Sequence, residues 1–303
     1  MELRQLRHFV ALAELRSFTA AAEREHIVQS GLSNSIRALE RELDAELYAR
    51  GTRPVRLTPA GAALIEPARR TLLAAQSAGE AVHDIQNVLT GRLRIGVVGS
   101  ALHVVRVADQ VAEFAAQHPA VDIHLTQAPV LDMLRMIGAG ELDCAFVTAV
   151  PTATPHVRLT TLATEALVLL IRDDHRLADT GVVYLTDLAD ERFVDVGVDW
   201  SVRVTIDAAL TAAGVVRQSH CEVNTWELFL ELVLAGAGIG FVPAGLAQQA
   251  AARTPRLRIT TIEDPGLQRH IQFAAPNPSD RTPATRHFID QLRRDHPGIS
   301  DLM

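Results

Sequence analysis

Over roughly the first ninety positions apolar residues recur at helical spacing, and beyond them short apolar runs alternate with helical stretches. From Phe18 to Leu43 the sequence FTAAAEREHIVQSGLSNSIRALEREL predicts two short helices meeting at a tight turn. In the second, Leu32, Ile36, Leu39 and Leu43 fall at spacings of four, three and four, a single stripe for burial. The opposite face keeps Gln29, Ser30, Ser33, Asn34 and Arg37. These are side chains that pair with base edges in a DNA major groove: Gln or Asn bidentate to adenine, Arg to guanine, Ser to either. A helix-turn-helix is therefore expected. Leu3, Leu6, Phe9, Val10 and Ala13 make an amphipathic helix to pack behind it. Ser17 caps the helix that follows, where Ala20, Ala21 and Ala22 permit close helix approach.

After these helices comes LYARGTRPVRLTPAG. Gly51 and Pro54 break it into two short segments, and Val55, Arg56 and Leu57 alternate as a strand does, predicting a small hairpin wing. Thr58-Pro59 is a helix start, and the helix it opens should run to about Leu89. Within it Ile65, Ala68, Leu72, Ala75, Gly79 and Val82 repeat at the period of a coiled-coil seam, interrupted by Pro67. The expectation is a dimerisation rod; core packing inside one chain would use the same stripe.

From Gly91 the order is strand 92–98, helix Val104 to Gln117, strand Val121 to Thr126, helix Leu131 to Ala139 and strand Cys144 to Thr148. A second set follows, with strands at Ala166 to Arg172, Arg192 to Val196, His220 to Val223 and Ile239 to Val242 around helices at Val202 to Ala213 and Leu228 to Ala235. Gln268 to Ala275 returns the chain to the first set, and a helix from Thr285 to Arg294 ends the pattern. This alternation predicts mostly parallel sheets in two lobes, with crossing segments near Thr161 to Ala166 and Pro265 to His270 and a cleft between the lobes.

Composition changes one part of this picture. The 303 residues are 48% hydrophobic and 21% charged, with a net charge of −7, which argues against nucleic acid if spread evenly. It is not spread evenly: residues 1–58 hold nine Arg against eight acids, and Leu47 to Thr58 carries Arg50, Arg53 and Arg56 with no acid. Those three guanidiniums suit phosphates or an adjacent minor groove. No apolar run is long enough to span a bilayer and no signal peptide opens the chain, so a cytoplasmic protein without membrane contact is expected.

Other chemistries find little support. Cys144 and Cys221 lie in apolar strand-like runs, as buried thiols do. The twelve His show no paired metal-ligand spacing, and His175 in RDDHRLA suits a turn. Gly236, Gly238 and Gly240 end a helix and open a strand, the reverse of a dinucleotide fingerprint. No catalytic constellation is found, so the chain is expected to be neither an enzyme nor cofactor-dependent.

The segments FTAAAERE, VQSGLSNSIRALERELDAELYARG and RLTPAG strongly resemble the N-terminal signature of LysR-type transcriptional regulators, and ELDCAFV (141–147), RDDHRLA (172–178) and AGAGIGFVP (235–243) are later family-like pieces. The resemblance implies an N-terminal all-α winged helix-turn-helix (1–58), a long linker helix that dimerises (59–89), and a C-terminal α/β two-lobed periplasmic-binding-protein-like effector domain (90–303). Lobe I would hold 90–162 and 268–303, lobe II 163–267. It also implies a homodimer or homotetramer on an imperfect inverted repeat of double-stranded DNA, meeting RNA polymerase under control of a small-molecule effector.

Carried onto this chain, the DNA-binding residues are Ser17, Thr19, Gln29, Ser30, Ser33, Asn34 and Arg37, with Arg50, Arg53 and Arg56 at the wing. Effector-binding residues are Ser100, Thr148, Asp199, Trp200, Asn224, Thr225 and Phe241. Ser100 equally fits a helix cap, and Trp200 and Trp226 equally fit core. The chain departs from the family in three places. Val28 stands where a capping Ser is common, and Asn34 where a longer Arg is common. Gln127, Ala128, Pro129 and Val130 replace a hydroxyl-bearing loop, which argues, with the charge of Asp199, against a small carboxylate effector. Two other readings compete: a thiol-based redox regulator, and a small-molecule-binding or enzymatic α/β protein whose helical segment serves assembly only.

Overall fold

The computed structural model describes residues 1–49, 51–52, 54–84, 89–101, 104–149, 156–180, 182–198, 200–264 and 266–296. The head is built from α1 (Leu3–Leu15), α2 (Phe18–Arg24) and α3 (Gln29–Leu43). Ser17 caps α2, its hydroxyl accepting from the Ala20 N–H at 3.4 Å. Leu32, Ile36 and Leu39 of α3 are buried against Leu6, Phe9 and Leu12 of α1 and Ala21 and Ala22 of α2. Leu43 departs from the expected stripe: it is exposed, because Asp44 turns left-handed and ends the helix beside it.

Tyr48 fastens the next segment to this core. Its hydroxyl donates to the Phe9 carbonyl at 2.6 Å, and its ring packs on Phe9 and Phe18. A short antiparallel turn follows. Tyr48 bridges Leu57, the Ala49 N–H donates to Arg56 O, and Gly51 takes the positive φ the turn requires. The wing is pinned to the end of α1 by the Val55 N–H on Arg16 O, at 3.0 Å.

The linker helix α4 (Pro59–Asp84) starts where Thr58 accepts from the Gly61 N–H at 3.1 Å. A Cβ at position 61 would collide with the Leu47 carbonyl, so glycine lets α4 seat on the head. The first half of the heptad stripe is spent there: Ala68 is fully buried in the head core, with Leu64, Ile65 and Leu72 packed against it. Of the later heptad positions, Ala75 is half-buried and Gly79 exposed; the Val82 side chain lies outside the described residues. The helix is described to Asp84, and Leu89 belongs instead to the core of the following domain.

That domain has β1 (Gly91–Val97), α5 (Val107–Gln117), β2 (Val121–Thr126), α6 (Val130–Gly138), β3 (Cys144–Thr148) and β4 (Val157–Arg172). It continues with β5 (Arg192–Val196), α7 (Ser201–Ala212), β6 (Gln218–Val223), α8 (Trp226–Ala235), β7 (Gly240–Pro243), α9 (Ala244–Arg253), β8 (Leu257–Thr260), β9 (Gln268–Pro276) and α10 (Pro283–Asp295). Strands run in the order β2-β1-β3-β9-β4-β7, with β8 also on β4 and a parallel β5-β6 pair joined to this set by the Phe193 to Ile239 bridge. The expectation of mostly parallel sheets holds for β2-β1-β3 and β5-β6 only. β9 pairs antiparallel with β3 and β4, and β7 and β8 pair antiparallel with β4. The crossing segments are thus one ribbon, β4 against β9 from Val157 opposite Pro276 to Ala166 opposite Gln268, bulged between Thr161 and Ala163.

In lobe I, α5 and α10 cover one sheet face, where Phe114, Phe146, Phe273 and Phe288 meet edge to face or tilted, and α6 covers the other. In lobe II, α7 covers one face and α8 with α9 the other. Among the described residues no helix is long and apolar enough to cross a membrane, and no group of three or more His, Cys, Asp or Glu is placed to hold a metal ion.

His8 joins the back of the head to α3, its Nδ1 2.8 Å from the Ser35 hydroxyl. Burial pushes its pKa below the ordinary 6.5, outweighing the pull of Glu25, and Arg4 and Arg7 act in the same direction as burial. The unfolded chain therefore takes up this proton more readily than the folded one. The stability that neutral His8 contributes is complete above pH 6.5 and is lost as pH falls through it toward the lower folded value. Lowering pH from about 7 to about 5.5 should speed amide exchange in α1 and α3, after correction for intrinsic rates, more in the wild type than in His8→Gln. Identical profiles for the two proteins would remove His8 from the account.

Candidate DNA-binding surface and effector cleft

Burial of Leu32, Ile36 and Leu39 turns the opposite side of α3 outward. Gln29, Ser30, Asn34 and Arg37 are exposed and Ser33 is half-buried. Gln29, Ser33 and Arg37, one turn apart, line an open groove of about 970 Å³ between α3, the start of α2 and the wing. Ser17 and Thr19 form its other bank with Thr52 and Pro54, and the Thr19 hydroxyl donates to Gln29 Oε1 at 3.5 Å. Ser30 and Asn34 lie outside this groove on the neighbouring exposed strip of the helix. Arg56 is exposed on the wing beside Arg16, in a smaller hollow with Ala13, Val55 and Leu57. Arg50 and Arg53 lie outside the described residues.

Arg16 was not singled out from sequence. It borders both hollows, exposed, at the left-handed end of α1 with φ 51°. Its place next to Ser17 was the available signal, hidden because the turn closing α1 decides where it points. The guanidiniums of Arg16, Arg37 and Arg56 have no carboxylate partner among the described residues. Several other arginines are committed to carboxylates: Arg24 to Glu14 at 2.6 Å, Arg94 to Asp143 at 2.8 Å, Arg269 to Glu165 at 2.6 Å. Cations left free on one side of the head are the electrostatic footprint of a phosphate backbone.

α3 also begins without help. Val28 precedes it in extended conformation with no side-chain cap, so the first N–H groups of the helix point outward unbonded by a cap. A phosphate satisfies such groups and the positive end of the helix dipole together.

The effector domain gathers its candidates where strands end. The carboxyl ends of parallel strands are where open α/β sheets bind ligands. Gly99 lies two residues past the end of β1, and the Gln127 amide from the end of β2 lies against it, about 3.7 Å from where a Cβ would stand. Thr148 ends β3 but is buried: the Ser201 hydroxyl, at the start of α7 in lobe II, donates to Thr148 Oγ1 at 2.6 Å. That bond spans the two lobes. Trp200, beside Ser201, packs edge to face on Trp226 at 5.4 Å, and the Trp226 indole N–H is buried with no acceptor among the described residues. Asn224 is exposed; Thr225 is exposed too, but its hydroxyl caps α8 through the Leu228 N–H at 3.3 Å.

Phe241 needs correction. It is 3% exposed, its ring stacked on Phe193 at 6.1 Å, and so belongs to the core of lobe II and not to the cleft. Asp199 and the Ser100 side chain lie outside the described residues. Ser201 was missed; its hydroxyl meets Thr148 only through the approach of two lobes.

Comparison with known proteins agrees with this division. Residues 3–62 match the model of the bacterial regulatory helix-turn-helix protein, lysR family, and residues 86–297 match the LysR substrate binding domain. The transcriptional regulator ShiR of Corynebacterium glutamicum is 33% identical over 263 residues, covering 86% of this chain and 88% of that one. The hydrogen peroxide-inducible genes activator of Pectobacterium carotovorum is 30% identical over 244 residues, covering 80% of each. Full-length CbnR complexed with its target DNA superposes with a TM-score of 0.56 at 26% identity, over 98% of this chain and 100% of that one. Two family models spanning head and effector domain, with relatives matched along most of their own length, place this chain in the LysR family, as a ligand-responsive, DNA-binding transcriptional regulator.

Proposed function

We propose that α3 lies in the major groove with Gln29, Ser33 and Arg37 toward base edges, Ser30 and Asn34 beside them, and Ser17 and Thr19 on the flanking phosphates. Arg16 and Arg56 take the backbone or minor groove beside the wing. The observation that carries this reading is the groove between α3, α2 and the wing, where Gln29, Ser33, Ser17 and Thr19 converge next to Arg16 and Arg37, both free of carboxylates. Support for the duplex as partner comes from CbnR, solved with its target DNA. The second half of α4 pairs two chains, so that an imperfect inverted repeat is read, and the protein works in the cytoplasm without catalysis.

The cleft between Thr148, Ser201, Trp200 and Gln127 takes a small molecule that replaces the bond between the lobes. Its effect reaches the head through α6. The corner after that helix rests on α4: Leu73 fills the space beside Gly140, and Glu141 pairs with Arg69, which also donates to Glu14 of α1 at 3.0 Å.

Arg56→Ala should weaken binding to all sequences alike and flatten the slope of log affinity against log salt by about one. Gln29→Ala should instead relax preference at one base pair per half-site, at a cost of about 1 to 3 kcal/mol. Fluorescence anisotropy across a salt series and a single-base operator panel separates the two. Unchanged preference in Gln29→Ala would take Gln29 out of the base-reading set.

The peroxide-inducible relative raises the thiol-based reading for this chain. The cysteines do not support it. Cys144 is buried in the lobe I core, where desolvation first and Asp143 second hold its thiol well above the ordinary value, and Cys221 packs on a separate core in lobe II. A thiol kept protonated is a poor nucleophile toward peroxide. DNA affinity should be the same before and after peroxide treatment; a shift that disappears in Cys221→Ser would establish thiol control instead.

A further inference from the structure

One side chain at the head of α3 is neither polar nor part of the core. Val28 is 70% exposed, in extended conformation with φ −74° and ψ 147°. It makes no capping hydrogen bond, although the position favours a side chain that does. Its isopropyl group lies over the first turn: a Cβ at Gly31 would stand 3.6 Å from Val28 Cγ2. Gln29 and Ser30, both exposed, follow directly, while the preceding Ile27 packs toward the core of the head. A branched apolar group is thus held on the solvent side of the turn that a recognition helix presents to base edges.

The chemistry of the groove narrows what this group can meet. Guanine offers two acceptors there, adenine an acceptor and an amino donor, and cytosine an amino donor. Valine pairs with none of them and, pressed against any, would strip water from a polar group without replacing its hydrogen bond. Thymine alone offers an apolar feature, its 5-methyl group. We infer that Val28 reads one thymine methyl in each half-site, next to the base pair that Gln29 reads. The inference rests on α3 being the groove element and adds to it a contact that hydrogen bonding cannot supply.

Deoxyuridine removes that methyl and leaves the pairing edge intact. The full-length chain is titrated against its selected operator with each thymine replaced singly by deoxyuridine, alongside Val28→Ser, which restores a capping hydroxyl, and Val28→Ala. The wild type should lose about fourfold in affinity at one thymine per half-site, the worth of one buried methyl. Val28→Ser should bind the thymine and uracil forms of that position equally, and Val28→Ala, with a shorter methyl, should discriminate less than the wild type. A wild type indifferent to every replacement would overturn the inference, and so would a sensitivity that survives in both variants, since another residue would then touch the methyl. Failure of the α3 reading is seen separately, as sequence preference unaltered when Gln29, Ser33 and Arg37 are all replaced by Ala.

Discussion

The burial of Leu32, Ile36 and Leu39 against α1 and α2 sets the rotation of α3 about its axis. Each such side chain contributes roughly 1.5 to 3 kcal/mol on leaving water, so turning the helix to hide another face would forfeit several kcal/mol. With the stripe fixed inward, Gln29, Ser33 and Arg37 have only one direction left. The same core fixes what surrounds them. Tyr48, bonded to Phe9 and packed between two rings, holds the wing at one edge of the groove, and Ser17, as the α2 cap, stands at the other. The linker helix then seats on this core through Ala68, with Gly61 allowing its first turn to pass the Leu47 carbonyl.

A second constraint organises the effector domain. β4 and β9 pair through both lobes, so the lobes are joined by hydrogen-bonded backbone and not by loose linkers. At that crossing Glu165 accepts from Arg269 and from the Gly245 N–H at the start of α9, a buried ion pair whose carboxylate is also bound by backbone. Such a ribbon permits bending more readily than separation. Thr148 and Ser201 sit where bending opens or closes the space between lobes, and lobe I rests on α4 through Gly140 and Glu141. A change at the cleft is therefore mechanically adjacent to the helix that carries the head.

The order of elements was largely legible because most of them announce themselves locally. α3 has its stripe, the wing its Gly51 and Pro54, the linker its Thr58-Pro59 start. What was hidden depends on distant partners. α9, in AGLAQQAAAR, has too few large apolar residues to show a stripe, and β8 is four residues long. The first half of β4 mixes Thr, Ala and Glu with apolar residues across a bulge, which erases its alternation. Strand direction was not readable, since β9 runs antiparallel only because it returns from lobe II. The candidate DNA surface was legible for the reason α3 was: one helix carries most of it. The cleft was not. Thr148 and Ser201 meet across 53 positions, and whether Phe241 faces cleft or core was decided by the ring of Phe193.

The central claim is that the outward face of α3, fixed by its buried stripe, specifies the DNA sequence. Selection of binding sites from a random duplex pool tests it most directly, run with the wild type and with Gln29, Ser33 and Arg37 all replaced by Ala. The wild type should enrich two inverted half-sites whose centres lie a whole number of helical turns apart, about 10 base pairs each, and the triple variant should retain DNA affinity but enrich no such motif. The same motif recovered with both proteins would contradict the account.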